Sequence, residues 1–325
     1  MARFLVTGGC GFIGSHLVDH LIGRGDQVVV LDCLSYGADI RNLPAPEIVG
    51  GISPHRAGTL PEAPCVLVIG DAADERLVVD LAERTDGCFH LAAQTHVDRS
   101  YGDVRPFVMS NVVGSWAVLE AYRTVKKRVV MVSTDEVYGD KVEGLSQEND
   151  PLAPRNVYSS LKCGADVLAQ TYAAVFGVDA VIARPANNYG PRQFEEKLVP
   201  KTIMSFLSGA KVPVYGDGAQ VRDWLWVEDN ARALAGLHDK GRAGHAYNIG
   251  AGQFRRTIDV VKAVASALGL GLDGRVDFVE DRIRGDRRYA LDYSRIRADT
   301  GWSPSKGFEQ GIVETVAWYR DRARR

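Results

Sequence analysis

Short apolar, β-branched runs alternate with stretches of helical periodicity through the first half of the chain. Residues 3–7, 27–32, 66–69, 88–91, 129–133 and 180–183 read as strands, and 15–23, 111–125 and 159–176 as helices. Runs this continuously apolar suit strands buried on both faces, hence a parallel sheet wrapped by helices. The alternation predicts a doubly wound α/β fold. Two stretches break the rhythm. Residues 44–64 carry Pro44, Pro46, Pro54, Pro61 and Pro64 with no clear period, which predicts an exposed excursion between the second and third strands. Beyond Pro185 the chain turns to loops rich in Asn, Gly, Pro, Tyr and Trp, with helices over 200–208 and 257–268 and a return to the main sheet at 247–249. The expected division is a main domain over 1–185 with a return around 223–250. A smaller, interleaved lobe takes 186–222 and 251–325.

Composition narrows the function classes. A net charge of −2 leaves no basic footprint for nucleic acid or an anionic membrane, so any phosphate must be met by local groups. No apolar run approaches the roughly 18 residues of a membrane span. The N-terminus enters a strand and a glycine turn at once, which leaves no place for a signal peptide. The cysteines, Cys10, Cys33, Cys65, Cys88 and Cys163, are scattered and form no Cys-x-x-Cys pair. Reduced thiols in a cytoplasm are the simplest reading.

Gly8, Gly11 and Gly14 follow a Gly-x-x-Gly-x-x-Gly spacing between the first strand and the first helix, with Phe12 and Ile13 inside the turn. Glycine there permits a tight turn and lets backbone approach a pyrophosphate, which the helix N-terminus favours. Strand before and helix after make this a dinucleotide fingerprint, and the sheet a Rossmann-type one. Asp32 closes the second strand, where a carboxylate accepts from the adenosine ribose and repels a 2′-phosphate, so NAD is favoured over NADP. Asp71 follows the third strand and caps the adenine pocket in this reading. His16 and His20 lie four apart on the first helix, but no third ligand stands nearby. They read as structural, and no metal site is expected.

Tyr158 and Lys162 are four apart on a helix and share a face. A lysine ammonium beside a phenol lowers its pKa and lets it exchange a proton with a substrate hydroxyl. The strand before this helix ends in Ser133-Thr134, where open α/β sheets bind ligands. The combination resembles the extended short-chain dehydrogenase/reductase family. Asp135 and Glu136 follow directly. Once a sugar C4 hydroxyl becomes a ketone, the C5 proton is acidic enough for a carboxylate, and a second, protonated carboxyl assists departure of the C6 hydroxyl as water. The alternative is that both carboxylates merely cap the next turn.

Thr134-Asp135-Glu136-Val137-Tyr138-Gly139 is similar to the motif of the dTDP-glucose 4,6-dehydratases, and the likeness spans nearly the whole chain. His90-Leu91-Ala92-Ala93 and His96 to Ser100 look like that family's loop over the nicotinamide. Later segments around Asn187-Asn188, Lys197-Leu198, Tyr215, Arg222 and Tyr289 are similar as well. The resemblance implies Asp135 as acid, Glu136 as base, and Tyr158, Lys162 and Thr134 as the C4 oxidation set. It implies a nucleoside-diphosphate hexose held by His96, Asn188, Lys197, Leu198, Tyr215, Arg222, Asn248, Arg282 and Tyr289, with Ala92 and Ala93 on the cofactor. It also implies a homodimer formed by the helices over 111–125 and 159–176. The chain departs from the family at Gln94-Thr95, Pro185-Ala186, Arg192-Gln193, Glu195 and Gly285, which leaves the hexose and the base open. A 4-epimerase or decarboxylase of the same family, and a non-catalytic NAD-sensing protein, are the competing readings.

Overall fold

The computed structural model describes residues 1–49, 60–281 and 285–324. Among them, eight parallel strands form the main sheet: β1 (Arg3–Thr7), β2 (Gln27–Asp32), β3 (Glu47–Val49), β4 (Cys65–Ile69), β5 (Gly87–His90), β6 (Arg128–Val132), β7 (Ala180–Pro185) and β11 (Ala246–Ile249). Their order is β11-β7-β6-β5-β1-β2-β4-β3. Successive side chains of a strand point to opposite faces, and here both faces are covered. Phe4, Val6, Val28, Val30, Val130 and Val181 pack on one side, and Leu5, Val29, Leu31, Val129 and Ile182 on the other. This two-sided burial is why the strands read as unbroken apolar runs.

The first face is covered by α1 (Phe12–Gly23) and α8 (Val227–Lys240), which press Leu17, Leu21, Leu234 and Leu237 onto it. The second is covered by α2 (Glu75–Glu83), α5 (Gly114–Val125) and α6 (Val157–Phe176). Two short helices, α3 (Val97–Gly102) and α4 (Arg105–Val108), lead through a π-helical turn at Met109–Val113 into α5. None of the described helices is long and apolar enough to cross a membrane.

The stretch expected to be only an excursion contributes β3. Glu47–Val49 pairs in parallel with β4 at the sheet margin, Ile48 opposite Leu67. An edge strand tolerates prolines just before it, because one side of its backbone has no partner to lose. The prolines hid a three-residue strand. Pro54 lies outside the described residues.

After β7 the chain leaves the main sheet at once. β8 (Asn187–Tyr189), β10 (Val221–Trp226) and β12 (Phe254–Arg256) make a small sheet, and β9 (Val212–Tyr215) pairs with β13 (Val276–Val279). Their core gathers Tyr189, Trp224, Trp226 and Phe308 with α7 (Leu198–Leu207), α9 (Thr257–Ala267) and α11 (Phe308–Ala323). Leu225 of β10 packs in the core of the main sheet, and α8 follows directly on β10. From the last third, Ile296 of α10 (Ser294–Thr300) and Trp302 also pack into the main core.

Candidate active site

A cavity of about 300 Å3 opens at the carboxyl ends of β1, β2, β5, β6 and β7, bounded on its far side by Asn188 and Lys197. The carboxyl edge is where open α/β sheets bind ligands. Its floor is backbone. Gly8 has φ +72°, and a Cβ there would lie 2.8 Å from the Ala92 nitrogen. A Cβ on Gly14 would lie 2.2 Å from the Gly8 carbonyl. The turn therefore admits no side chain at either position, and Gly11 as N-cap puts no side chain over the start of α1. The uncapped N–H groups of a helix start favour an anion such as a pyrophosphate. Phe12, Ile13, Asp71, Ala92 and Ala93 also line the cavity.

Asp32 is buried at the end of β2. Its Oδ2 accepts from the Cys10 N–H at 2.9 Å and its Oδ1 from the Leu34 N–H at 2.9 Å. Burial raises its pKa and these two backbone donors oppose the rise. Each oxygen keeps a further lone pair toward the cavity, so the residues fit the adenosine end of NAD. Sequence reasoning missed the support beneath the next strand. Ser115 Oγ donates to the Asn111 carbonyl at 2.8 Å and lies 3.1 Å from His90 Nε2. That nitrogen must then carry the proton, and Nδ1 accepts from the Thr7 hydroxyl at 2.8 Å. Thr7 Oγ1 in turn accepts from the Leu91 and Ala92 N–H groups at 3.2 Å each. Burial pushes the His90 pKa down to about 3, so the ring is a neutral relay that pins the loop to β1.

β6 delivers the chemistry. Thr134 leads into a 3-10 turn over Asp135–Tyr138, its hydroxyl donating to Asp135 Oδ1 at 3.2 Å. Asp135 is buried, and its Oδ2 has no hydrogen-bond partner among the described residues. Burial, then the charge of Glu136, push its pKa up to about 8, so Asp135 is protonated at neutral pH. Glu136 is half-buried, with Oε2 accepting from Asn156 Nδ2 at 3.0 Å.

On α6, Tyr158 and Lys162 both line the cavity. Lys162 Nζ donates to the Val132 carbonyl at 2.6 Å, and burial lowers its pKa to about 8. The expected lowering of the Tyr158 pKa by this ammonium is corrected. Burial and the Glu136 carboxylate hold the phenol well above its ordinary value. Spacing on a helix put the two residues on one face, but it carried no information about the carboxylate arriving from β6. Behind them, Arg184 of β7 grips Asp166 of α6 through Nε at 2.9 Å and Nη2 at 2.8 Å. Its Nη1 donates to the Tyr138 hydroxyl at 2.6 Å, tying the carboxylate turn to the helix.

The residues expected on the substrate divide. Asn188 and Lys197 line the cavity, with Lys197 Nζ donating to the Thr95 carbonyl at 3.0 Å. His96 stands 4.0 Å from both Asp98 and Glu196, and the Tyr215 hydroxyl donates to Asp98 at 3.4 Å. Arg222 stacks over the Tyr289 ring at 4.1 Å, and its charge acts on Asp135. The Tyr289 hydroxyl donates to Asp286. Leu198 opens α7 and packs against the small-lobe core. Asn248 is a correction. It is fully buried away from the cavity, accepting from the Tyr138 hydroxyl at 2.7 Å and donating to the Ser146 and Asp292 carbonyls. Its amide is committed to the protein because a buried amide must be satisfied there. Arg282 lies outside the described residues. His16, expected to be structural, has its Nε2 3.0 Å from the Pro191 carbonyl.

A Rossmann sheet with a serviced carboxylate pair defines a nucleotide-linked dehydrogenase or dehydratase class, and comparison with known proteins narrows it. The family described as GDP-mannose 4,6 dehydratase matches residues 5–315, and the chain belongs to that family. It is 45% identical to a dTDP-glucose 4,6-dehydratase of an Actinoplanes species over 98% of each chain. Among solved structures it is similar to the dTDP-glucose 4,6-dehydratase DesIV of Streptomyces venezuelae, solved with NAD bound. The TM-score is 0.90 at 37% identity, covering 98% of this chain and 97% of that one. A UDP-glucose 4-epimerase of Thermus thermophilus, also solved with NAD, gives 0.86 at 31% identity over 98% and 99%.

Proposed function

We propose that the protein is an NAD-dependent lyase that dehydrates a nucleotide-activated hexose, dTDP-glucose in the first instance, to the 4-keto-6-deoxy sugar. The observation that carries this reading is the protonated, half-satisfied Asp135 beside a Glu136 that accepts a hydrogen bond. An epimerase needs only the C4 oxidation set, whereas water loss needs an acid and a base together. NAD, when bound, supplies the acceptor for the C4 hydride and returns it at C6. In this reading Tyr158 takes the C4 hydroxyl proton as a phenolate, with Thr134 beside it. Burial and Glu136 hold the phenol protonated without cofactor, so the Lys162 ammonium and the positive charge of bound NAD would supply the lowering that proton transfer needs. Glu136 removes the C5 proton, Asp135 gives its proton to the departing C6 hydroxyl, and Glu136 returns its proton to C5 when the hydride adds at C6. The proton taken by Tyr158 then restores Asp135 by way of solvent. Because redox change sums to zero, cofactor stays with the enzyme.

In this reading the lobe built on β8, β9 and β10 takes the nucleoside diphosphate, with Lys197 and Arg222 supplying positive charge. The protein works as a cytoplasmic homodimer through α5 and α6, whose outer faces leave Trp116, Val167 and Phe176 exposed. Incubation of the purified protein with dTDP-glucose tests the function. The expected product is lighter than the substrate by one water and forms without consumption of added NAD. A product of unchanged mass would instead establish epimerisation.

A further inference from the structure

We infer that Asn156 is a positioning residue for the C5 base: one amide caps the helix that carries Tyr158 and Lys162 and, with its other end, holds the Glu136 carboxylate. The inference rests on the reading of Glu136 as base.

Two independent partners fix the amide. As N-cap of α6, Asn156 uses Oδ1 to accept from the Ser159 N–H at 2.8 Å, and Ser159 Oγ accepts from the Asn156 N–H at 3.3 Å. With its one oxygen occupied, the amide presents Nδ2 to Glu136 Oε2, at 3.0 Å. Flipping the amide would set its oxygen against a carboxylate oxygen and its N–H groups against the Ser159 N–H. Both contacts would then be repulsive, so each partner enforces the other. The donated bond leaves Oε2 without a proton of its own and fixes where that oxygen points. Because Asn156 begins α6, the same bond sets the base relative to the Tyr158 phenol two residues on. Ser, Thr and Asp cap a helix start as well as Asn does. Asp has no donor when ionised, and Ser and Thr carry their one hydrogen on the capping oxygen itself, with no second atom in the place of Nδ2.

That equivalence gives a clean separation of roles. Asn156→Ser keeps the cap and removes the donor. Asn156→Asp keeps the cap and sets a carboxylate against Glu136, which already faces Asp135 on its own turn, Tyr158 from α6 and Tyr289 from the small lobe, with Arg222 acting on Asp135 and Tyr289. Single-turnover absorbance of the bound nicotinamide resolves C4 oxidation, as its rise, from elimination, as its decay. For Asn156→Ser the decay is expected to slow about tenfold or more, as for loss of a positioned catalytic group, while the rise stays within about twofold. For Asn156→Asp the acid limb of the decay rate is expected to move to higher pH. Asn156→Ser should melt with the wild type, Asn156→Ala lower through loss of the cap, and Asn156→Asp lower near neutral pH but not in acid, where the paired carboxyls are protonated. A wild-type decay in Asn156→Ser, equal slowing of both phases, or an unmoved acid limb in Asn156→Asp overturns the inference. Glu136→Gln is the companion measurement: if its decay proceeds normally, the base assignment fails instead.

Discussion

The ends of β2 and β6 each hold a buried carboxyl facing the same cavity, and they are treated in opposite ways. Asp32 has a backbone N–H on each oxygen, donors that favour the charged form against burial. Asp135 has a single hydroxyl on one oxygen, no partner among the described residues on the other, and a like charge next to it. One strand end is built to present a fixed anion to ribose hydroxyls, the other to hold a proton until a leaving group needs it. The difference comes from the backbone. The glycine turn folds the Cys10 N–H back onto Asp32 and the chain just beyond β2 adds the Leu34 N–H, whereas among the described residues no backbone N–H reaches Asp135 Oδ2.

Removing the proton is the sharpest way to break that contrast. Asp135→Asn is expected to slow elimination by about 10²–10⁴-fold, the range for a general acid, while C4 oxidation remains visible as reduced cofactor. Normal water loss in that variant would show that the unpartnered carboxyl is not the acid. Asp32→Ala acts at the other end. It strips the acceptor from the buried Cys10 N–H, at a cost of about 1–3 kcal/mol, and from the Leu34 N–H as well. A lower melting temperature, weaker NAD binding and a narrowed preference over NADP are expected together.

The pH dependence follows from the sign of the Asp135 shift. Its pKa stands raised from 3.8 to about 8, so the acid form, and elimination with it, declines as pH rises through about 8. The folded state holds this proton more tightly than the unfolded chain does. Its contribution to stability is therefore fully present below 3.8 and is lost as pH climbs toward 8. Thermal melts across that window should show a flatter profile for Asp135→Asn than for the wild type. The smallest effect is expected at the exposed Asp71. There Asn retains the acceptor for the Ala73 N–H, and stability should change by no more than about 0.5 kcal/mol.

What could be read from the chain depended on how local each feature is. The strands of the main sheet announce themselves because both faces are apolar, and Gly8, Gly11 and Gly14 because a turn between strand and helix is written in consecutive residues. Tyr158 and Lys162 needed only helical spacing. The Thr7, His90 and Ser115 relay joins positions 83 and 25 residues apart, and no spacing rule brings them together. Arg184 meets Tyr138 across 46 residues, and Asn248 meets it across 110, so neither that hydrogen bond nor the burial of the Asn248 amide was legible. Asn156, just ahead of the expected helix over 159–176, drew no reading from the sequence, because its partner Glu136 lies 20 residues away. The raised Tyr158 pKa was hidden for the same reason, since the carboxylate responsible arrives from another strand.

The interleaving of the two lobes has a consequence for how the protein is made. β11, the neighbour of β7, and α8, which roofs one face of the sheet, both emerge after the small-lobe strands β8, β9 and β10. At about 5–20 residues per second, the ribosome needs several seconds to carry the chain from Pro185 to Ile249. Through that interval β7 is an open parallel edge, and the cluster around Leu17, Leu21 and Val30 lacks Leu234 and Leu237. An exposed edge above an unroofed apolar face is what chaperones bind and what aggregates form from. A chain terminated after β7 should therefore accumulate in inclusion bodies.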